Sequence, residues 1–138
     1  MAPTSAEGWI ATANARLADA GAMLPARFNS VGSVYLAGYA VECSLKAYLQ
    51  RIGKAFPSYG SEGHNLKALW QASGFQLRDI GGVGGERTFY VDSWDTGLRY
   101  ESEVRLSLQV SDLVAGARGL VSLIQTRVRR VQYRRGSV

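Results

Sequence analysis

Apolar residues recur at alternating steps of three and four in three long segments, and this periodicity constrains the fold more than any other feature of the chain. Such spacing places the apolar side chains on one face of an α-helix, whereas the alternation typical of a strand is almost absent. The sequence therefore predicts an all-α bundle of three long helices and one or two short ones. The three stripes are Ile10, Ala13, Leu17, Ala20 and Leu24; Val34, Gly38, Val41, Leu45, Tyr48 and Ile52; and Leu106, Val110, Leu113, Ala117, Leu120, Ile124 and Val128.

Local signals predict where the first two helices begin and end. Thr4 and Glu7 have the spacing of a capping box, and Pro25 disfavours helical angles at the residue before it. The second helix is expected to begin near Asn29 or Ser30, because either side chain can cap it. Gly53 is its expected stop signal.

The second half of the chain is harder to interpret. Residues 54–63 read as a loop, and a short helix is expected from about residue 65 to residue 73, with Leu66, Leu69 and Trp70 facing inward. The glycine-rich run 81–85 lacks the following Lys-Ser/Thr of a phosphate-binding loop, so we interpret it as a turn. The aromatic-rich run 89–100 is only weakly periodic, and its Trp94 is expected to fill the core.

Length and composition limit the class of protein. The 138 residues suit one domain spanning 1–138, and no apolar run reaches the roughly 18 residues that a membrane helix needs. The first residues do not resemble a signal peptide, so we expect a cytoplasmic protein. With Cys43 as the only cysteine and His64 as the only histidine, neither an internal disulfide nor an ordinary structural zinc site is expected. Cys43 reads as a buried, inert thiol, and no cofactor is expected.

The basic charge is concentrated near the end of the chain. The formal net charge is +5, but residues 1–126 contain as many basic as acidic residues. A basic tail of about 127–138 is consistent either with phosphate binding or with a solvated helix end beside the negative end of a helix dipole. Its arginines are Arg127, Arg129, Arg130, Arg134 and Arg135.

The second helix is apolar on more than one face, because Tyr35, Leu36 and Tyr39 lie off its main stripe. Such a helix is buried on several sides. A bundle this small rarely covers every face of one helix, and exposed apolar patches tend to mark interfaces. We therefore expect a homodimer formed through the first half of this helix.

The same helix carries Glu42 and Lys46, four residues apart on one face. Such a pair is usually a helix salt bridge worth a few tenths of a kcal/mol, about 0.2–0.5 kcal/mol. Its apolar neighbours indicate that it is partly desolvated, and a buried charge needs partners. The sequence is consistent with two interpretations of this pair, a structural ion-pair network and a ligand site.

Three segments resemble the HEPN (higher eukaryotes and prokaryotes nucleotide-binding) domain family. The run 35–49 resembles its signature helix, in which small and aromatic residues lead into Glu and then Leu-Lys-Ala. The run Gly63–Leu66 resembles the His-Asp/Asn-Leu start of the family's next helix. The run Trp94–Tyr100 resembles the Arg-Tyr that precedes its last helix. The resemblance spans about residues 10–128.

The resemblance implies a four- or five-helix up-and-down bundle, often dimeric, in RNA cleavage, toxin–antitoxin pairs or defence, and commonly with a small nucleotidyltransferase partner. It also implies that His64 and Arg99 lie near Glu42. The family's ribonucleases use Arg, four to six residues, then His, and no such motif exists in this chain. The base and the phosphate-stabilising cation that it supplies are therefore missing.

The sequence thus predicts a HEPN-type module without catalytic residues, which binds nucleotide or RNA or serves as the partner of an enzyme. A metal-independent ribonuclease built from His64, Arg99 and Lys46, and a purely structural dimerisation module, are the alternatives. Arg99 and Tyr100 either bind phosphate and stack on a base or fasten the 90s segment to Glu42. The candidate nucleotide- or phosphate-binding residues are Glu42, Lys46, His64, Lys67, Arg99 and Tyr100.

Overall fold

A 21-residue helix, α2 (Val31–Arg51), lies at the centre of the protein and is buried along most of its length. The computed structural model describes residues 1–57, 63–82, 84–103 and 108–136, with side chains up to residue 131. Within these ranges the chain forms five α-helices and no strand, which confirms the all-α helical bundle. The other helices are α1 (Ala6–Met23), α3 (Leu66–Ala72), α4 (Glu86–Asp92) and α5 (Val110–Gly136), with 3₁₀ helices at Leu77–Asp79 and Thr96–Tyr100.

The long helices α1, α2 and α5 pack against one another, and the short helices α3 and α4 pack on α2 and α5. Helices α1 and α2 run antiparallel, because Arg51 at the end of α2 bonds to Glu7 in the first turn of α1. The Gln125 amide on α5 donates to Asn14 Oδ1 on α1 at 2.9 Å. The core between α2 and α5 is apolar, and its fully buried members include Val41, Leu45, Leu113, Leu120 and Ile124.

The expected helix ends are close to those observed, with one correction. Helix α1 is capped by Ser5, whose hydroxyl accepts from the Gly8 N–H at 3.1 Å, and not by a capping box that starts at Thr4. Ser rather than Thr takes this role because the helix begins at Ala6, one residue later than a Thr4 cap would allow. Ser30 precedes α2, and Gly53 follows it with a positive φ of 74°, as the stop signal predicted.

Helix α3 begins after Asn65, whose side chain accepts from the Ala68 N–H at 3.1 Å, and Leu66, Leu69 and Trp70 are buried as expected. The sequence did not predict α4. Gly85 at its N-terminus has a φ of 85° and offers no side-chain cap, and seven residues are too few for a clear stripe.

Trp94 is buried against the backbone of α2, as expected for a core residue. Its indole lies where a side chain on Gly38 would project, since a Cβ there would come within 2.1 Å of the ring. A glycine in the middle of a helix is unfavourable by roughly 0.5–1 kcal/mol. Here its missing side chain provides the space into which Trp94 packs.

The last helix extends through most of the segment interpreted as a basic tail. Val128 is buried, and the helix continues to Gly136. Three predicted features lie outside the described residues: the stripe residue Leu106, the centre of the loop at 58–62 and Val83 of the glycine-rich run. No helix in the described part of the chain is long and apolar enough to cross a membrane.

Candidate functional site

A pocket of about 410 Å³ opens between α1 and α2 and is called here the cationic pocket. It contains basic, aromatic and acidic side chains, together with the thiol of the only cysteine. Its volume lies in the range of small-molecule sites, which is about 300–1,000 Å³. It is lined by Ala2, Pro3, Trp9, Thr12, Arg16, Leu36, Tyr39, Glu42, Cys43, Lys46 and His64.

The floor of the cationic pocket is a buried ion pair. Lys46 Nζ donates to Glu42 Oε2 at 3.0 Å, and the two side chains are 1% and 2% exposed. The i,i+4 spacing on one helix brings the two groups together, as the sequence predicted. Because their burial removes hydration from both charges, the pair is not the weak surface bridge that this spacing usually produces.

The other oxygen of Glu42 contacts the single histidine. His64 Nδ1 lies 2.7 Å from Glu42 Oε1, and the His64 side chain is 24% exposed. Since a carboxylate accepts, Nδ1 carries the proton in this contact and Nε2 is the remaining ring nitrogen. The resemblance placed His64 near Glu42, and the structure brings the two residues into direct contact.

The opposite wall comes from α1, which the sequence analysis did not include in the site. Trp9 is 5% exposed, and its indole Nε1 is buried without a hydrogen-bond partner among the described residues. Lys46 Nζ lies 5.1 Å from the centre of a Trp9 ring, within the range of a cation–π interaction. Arg16 bonds to Asp19 at 3.2 Å through Nη2, but its buried Nε has no such partner.

The residues on this wall are related by spacing. Trp9, Thr12 and Arg16 follow one another at steps of three and four, so they share one face of α1 beside its apolar stripe. This spacing of a tryptophan, a threonine and an arginine was the available signal in the sequence. It does not coincide with the apolar stripe from which the helix was predicted, so the stripe did not indicate it.

An aromatic cluster covers the part of α2 that the sequence left exposed. The Tyr39 ring lies edge-on to the His64 ring at 5.6 Å and to Trp94 at 6.0 Å. Tyr35 stacks on Trp94 at 6.0 Å, so the face expected to form a dimer is partly covered within one chain. Burial, together with a hydrogen bond to Tyr35, raises the pKa of Tyr39 to about 12.

Cys43 is buried, as the sequence predicted. Burial and the nearby Glu42 carboxylate raise the pKa of its thiol to about 12, although Lys46 and Arg16 act in the opposite direction. A thiol in this state is protonated at neutral pH and is a poor nucleophile. Cys43 therefore contributes shape rather than reactivity to the pocket wall.

A second pocket of about 310 Å³, called here the Asp92 pocket, lies on the other side of His64. His64 lines both pockets, so they adjoin at this side chain. The predicted residue Lys67 belongs to this second pocket, and its Nζ lies 3.9 Å from Asp92 Oδ1. The lining is His64, Asn65, Leu66, Lys67, Val91, Asp92, Ser93, Trp94, Asp95 and Thr96.

Arg99 and Tyr100 lie apart from both pockets. Arg99 is exposed and stacks on Tyr100, with its Cζ 5.0 Å from the ring centre. Hydrogen bonds to Tyr100 and Tyr35 raise the pKa of Arg99. The structure shows no ion pair between Arg99 and Glu42 among the described residues, because the two oxygens of Glu42 contact Lys46 and His64 instead.

The basic segment lies along the last turns of α5. Arg127 covers the Phe75 ring at 5.5 Å, and Arg129 donates to Thr126 Oγ1 at 3.1 Å. Arg129 and Arg130 are exposed, while Arg134 and Arg135 are placed by the helix backbone alone. Arg127, Arg129 and Arg130 do not line either pocket.

The described residues contain no group of three His, Cys, Asp or Glu side chains arranged to hold a metal ion. No family model matches the chain, and comparisons with curated proteins and with solved structures gave no significant match.

Proposed function

We propose that this protein is a non-catalytic, HEPN-type module that binds a nucleotide in the cationic pocket. The observation that supports this function best is a pair of buried donors, Trp9 Nε1 and Arg16 Nε, which have no acceptor among the described residues and lie in the same pocket as the Lys46 ammonium. Buried polar groups are nearly always satisfied, so two such donors in one pocket favour a ligand that supplies acceptor oxygens. A phosphate group supplies several acceptor oxygens and the negative charge that Arg16 and Lys46 favour.

The pocket also suits the base of a nucleotide. Trp9 and Tyr39 present aromatic surface from two different helices, α1 and α2. Aromatic side chains stack on bases with little preference for their identity, at about 1–3 kcal/mol per base. Cations combined with flat aromatic walls therefore favour a nucleotide over inorganic phosphate alone.

A calorimetric titration with a panel of ribonucleoside 5′-monophosphates tests this proposal. We expect Arg16→Ala to weaken binding by about tenfold or more, because a charge-assisted hydrogen bond to phosphate is lost. Arg27→Ala is the matched control, since Arg27 is exposed and lies outside the pocket. Absence of binding by every nucleotide, or wild-type affinity in Arg16→Ala, would contradict the proposal.

A second function, metal-independent RNA cleavage, is favoured by the contact between His64 and Glu42. A carboxylate that orients a histidine leaves the other ring nitrogen for proton transfer, as in hydrolytic triads. Arg99 does not join this arrangement, so Arg16 or Lys46 would have to stabilise the phosphate. We expect no cleavage of labelled tRNA or single-stranded RNA by the pure protein. Cleavage that disappears in a folded His64→Ala variant would establish the nuclease instead.

Three further proposals concern the oligomeric state of the protein, its location in the cell and its partners. We propose a homodimer that uses the half-exposed side chains of Tyr35, Leu36 and Tyr39, although Trp94 covers part of that face. Light scattering at tens of micromolar measures the mass directly, in a concentration range set by typical interface affinities. A cytoplasmic role beside a nucleotidyltransferase in a toxin–antitoxin or defence pair is tested by identifying the proteins and nucleic acids that co-purify from native cells.

A further inference from the structure

The cationic pocket is rich in donors but poor in acceptors. Among the described residues that line it, Glu42 is the one carboxylate, and both of its oxygens are in contact, one with Lys46 and one with His64. The Thr12 hydroxyl donates its proton to the Gly8 carbonyl at 3.0 Å, so it can only accept from a ligand. This pocket therefore suits the phosphate of a nucleotide better than the sugar, whose hydroxyls also donate hydrogen bonds.

The Asp92 pocket has the complementary character, because several side-chain oxygens line it. Two of them are engaged locally: Asn65 Oδ1 accepts from the Ala68 N–H at 3.1 Å, and Asp95 Oδ1 accepts from the Gly97 N–H at 2.7 Å. The carboxylate of Asp92 differs, because its nearest cation, Lys67 Nζ, is 3.9 Å away. That distance exceeds a hydrogen bond, so the Asp92 oxygens can accept from a ligand.

The border between the pockets is aromatic. His64 belongs to both linings, Tyr39 to the cationic pocket and Trp94 to the Asp92 pocket. The centre of the Tyr39 ring lies 5.6 Å from the centre of the His64 ring and 6.0 Å from that of the Trp94 ring. A ligand that extends from one pocket into the other therefore packs against aromatic rings at this border.

We infer that the two pockets form one elongated site, in which the phosphate lies near Arg16 and Lys46, the base stays in the cationic pocket, and the hydroxyl edge of the ribose passes His64 towards Asp92. Asp92 then accepts a hydrogen bond from the ribose 2′-hydroxyl and makes the site selective for ribonucleotides over 2′-deoxyribonucleotides. This assignment rests on the proposed nucleotide function and adds its substrate class. A carboxylate bound to the 2′-hydroxyl is a common way in which proteins recognise ribose, and this hydroxyl is the group that distinguishes RNA from DNA.

The test compares three ligands on three forms of the protein. The ligands are the tightest ribonucleoside 5′-monophosphate of the panel, its 2′-deoxy form and inorganic phosphate. The proteins are the wild type, Asp92→Ala and the control Asp112→Ala, in which an exposed acid outside both pockets is removed. Asp92 is exposed and its contact with Lys67 is long, so we expect Asp92→Ala to fold normally, which circular dichroism checks.

We expect the wild type to bind the ribonucleotide about three- to tenfold more tightly than the deoxy form, the effect of one hydrogen bond. Asp92→Ala should abolish this preference by weakening the ribonucleotide only, with the deoxy form and phosphate unchanged and Asp112→Ala like the wild type. Nucleotide binding without a ribose preference, or a preference that survives in Asp92→Ala, overturns this inference and leaves the proposed function standing. Absence of all nucleotide binding overturns both.

Discussion

The two faces of α2 are buried equally well but are built differently. One face contributes Val41, Leu45 and Leu49 to the main hydrophobic core with α5. The other faces α1 and carries Glu42 and Lys46 beside the small cluster that contains Trp9 and Cys43. The Glu42 and Lys46 side chains are as buried as those of Val41 and Leu45, so the difference lies in the free-energy cost of burying them.

An apolar face stabilises the fold through burial alone, at about 25 cal/mol per Å² of apolar surface. When a salt bridge is buried, the attraction between its two charges often stabilises the fold by less than the loss of their hydration destabilises it. A protein in which apolar residues of similar volume replace the pair is frequently at least as stable. The α1 face therefore holds its charges at little or no gain in stability. This difference is what leads us to attribute binding to that face and only structure to the other.

The largest effect should come from breaking the ion pair. We expect Glu42→Ala to lower the free energy of unfolding by about 3–5 kcal/mol, because it breaks a buried ion pair by removing the carboxylate that Lys46 Nζ contacts at 3.0 Å. Urea denaturation measures the loss. Glu7→Ala, which removes an exposed acid on α1, should cost far less. An unchanged stability would mean that the Glu42 face is as solvated as the surface.

A cavity on the apolar face of α2 should lower the free energy of unfolding by about as much as Glu42→Ala, or slightly less. Leu45 is fully buried, and Leu45→Ala is expected to destabilise the protein by about 2–5 kcal/mol through lost transfer energy and residual cavity. The exposed Leu77 provides the matched control, since Leu77→Ala removes the same atoms from solvent-accessible surface. Equal losses of stability in Leu45→Ala and Leu77→Ala would contradict the tight packing of Leu45 in the core.

Replacing the pair by apolar residues distinguishes the two faces most sharply. The double variant Glu42→Leu/Lys46→Met should retain the wild-type stability to within about 1 kcal/mol, because neither charge remains buried. It should nevertheless lose nucleotide binding, since the Lys46 cation is gone. Melting curves and calorimetry on the same sample give both quantities. A loss of several kcal/mol would show that the pair is essential to the fold.

The last prediction concerns the stability of the fold at alkaline pH. Because burial raises the pKa of Cys43 from its ordinary value of 9.0 to about 12, the unfolded thiol ionises before the folded one. Its stabilising contribution is complete below about pH 9 and is lost as the pH rises towards 12. Tyr39 shifts in the same direction, from 10.0 to about 12.

Denaturation between pH 8 and pH 11 should therefore show stability falling above pH 9. The fall should be shallower in Cys43→Ala, which removes one of the titrating groups. The same slope in both proteins would refute the role assigned to the thiol.

Local features of this fold were predictable from the sequence, and long-range ones were not. The periodic stripes gave the long helices, and the i,i+4 spacing gave the Glu42–Lys46 pair, since both depend only on helix geometry. The rotation of α1 that brings Trp9 and Arg16 over that pair depends on tertiary packing, which no local pattern records.

The segment between α3 and α5 shows the same limit. Helix α4 has too few residues for a stripe, and its N-terminus has a glycine in place of a polar cap. The partner of Arg99 was assigned from a resemblance alone. Arg99 instead stacks on Tyr100, and both residues belong to a 3₁₀ helix that no periodic signal indicated.

The three tryptophans are distributed so that each samples a different part of the molecule. The Trp70 indole donates to the Gln76 carbonyl at 3.2 Å, whereas the N–H groups of Trp9 and Trp94 have no partner among the described residues. Trp9 lines the cationic pocket and Trp94 the Asp92 pocket. In a nitrogen-15 NMR spectrum the three indole resonances thus act as built-in reporters. A ligand spanning both pockets would move the signals of Trp9 and Trp94 together and leave that of Trp70 as an internal reference.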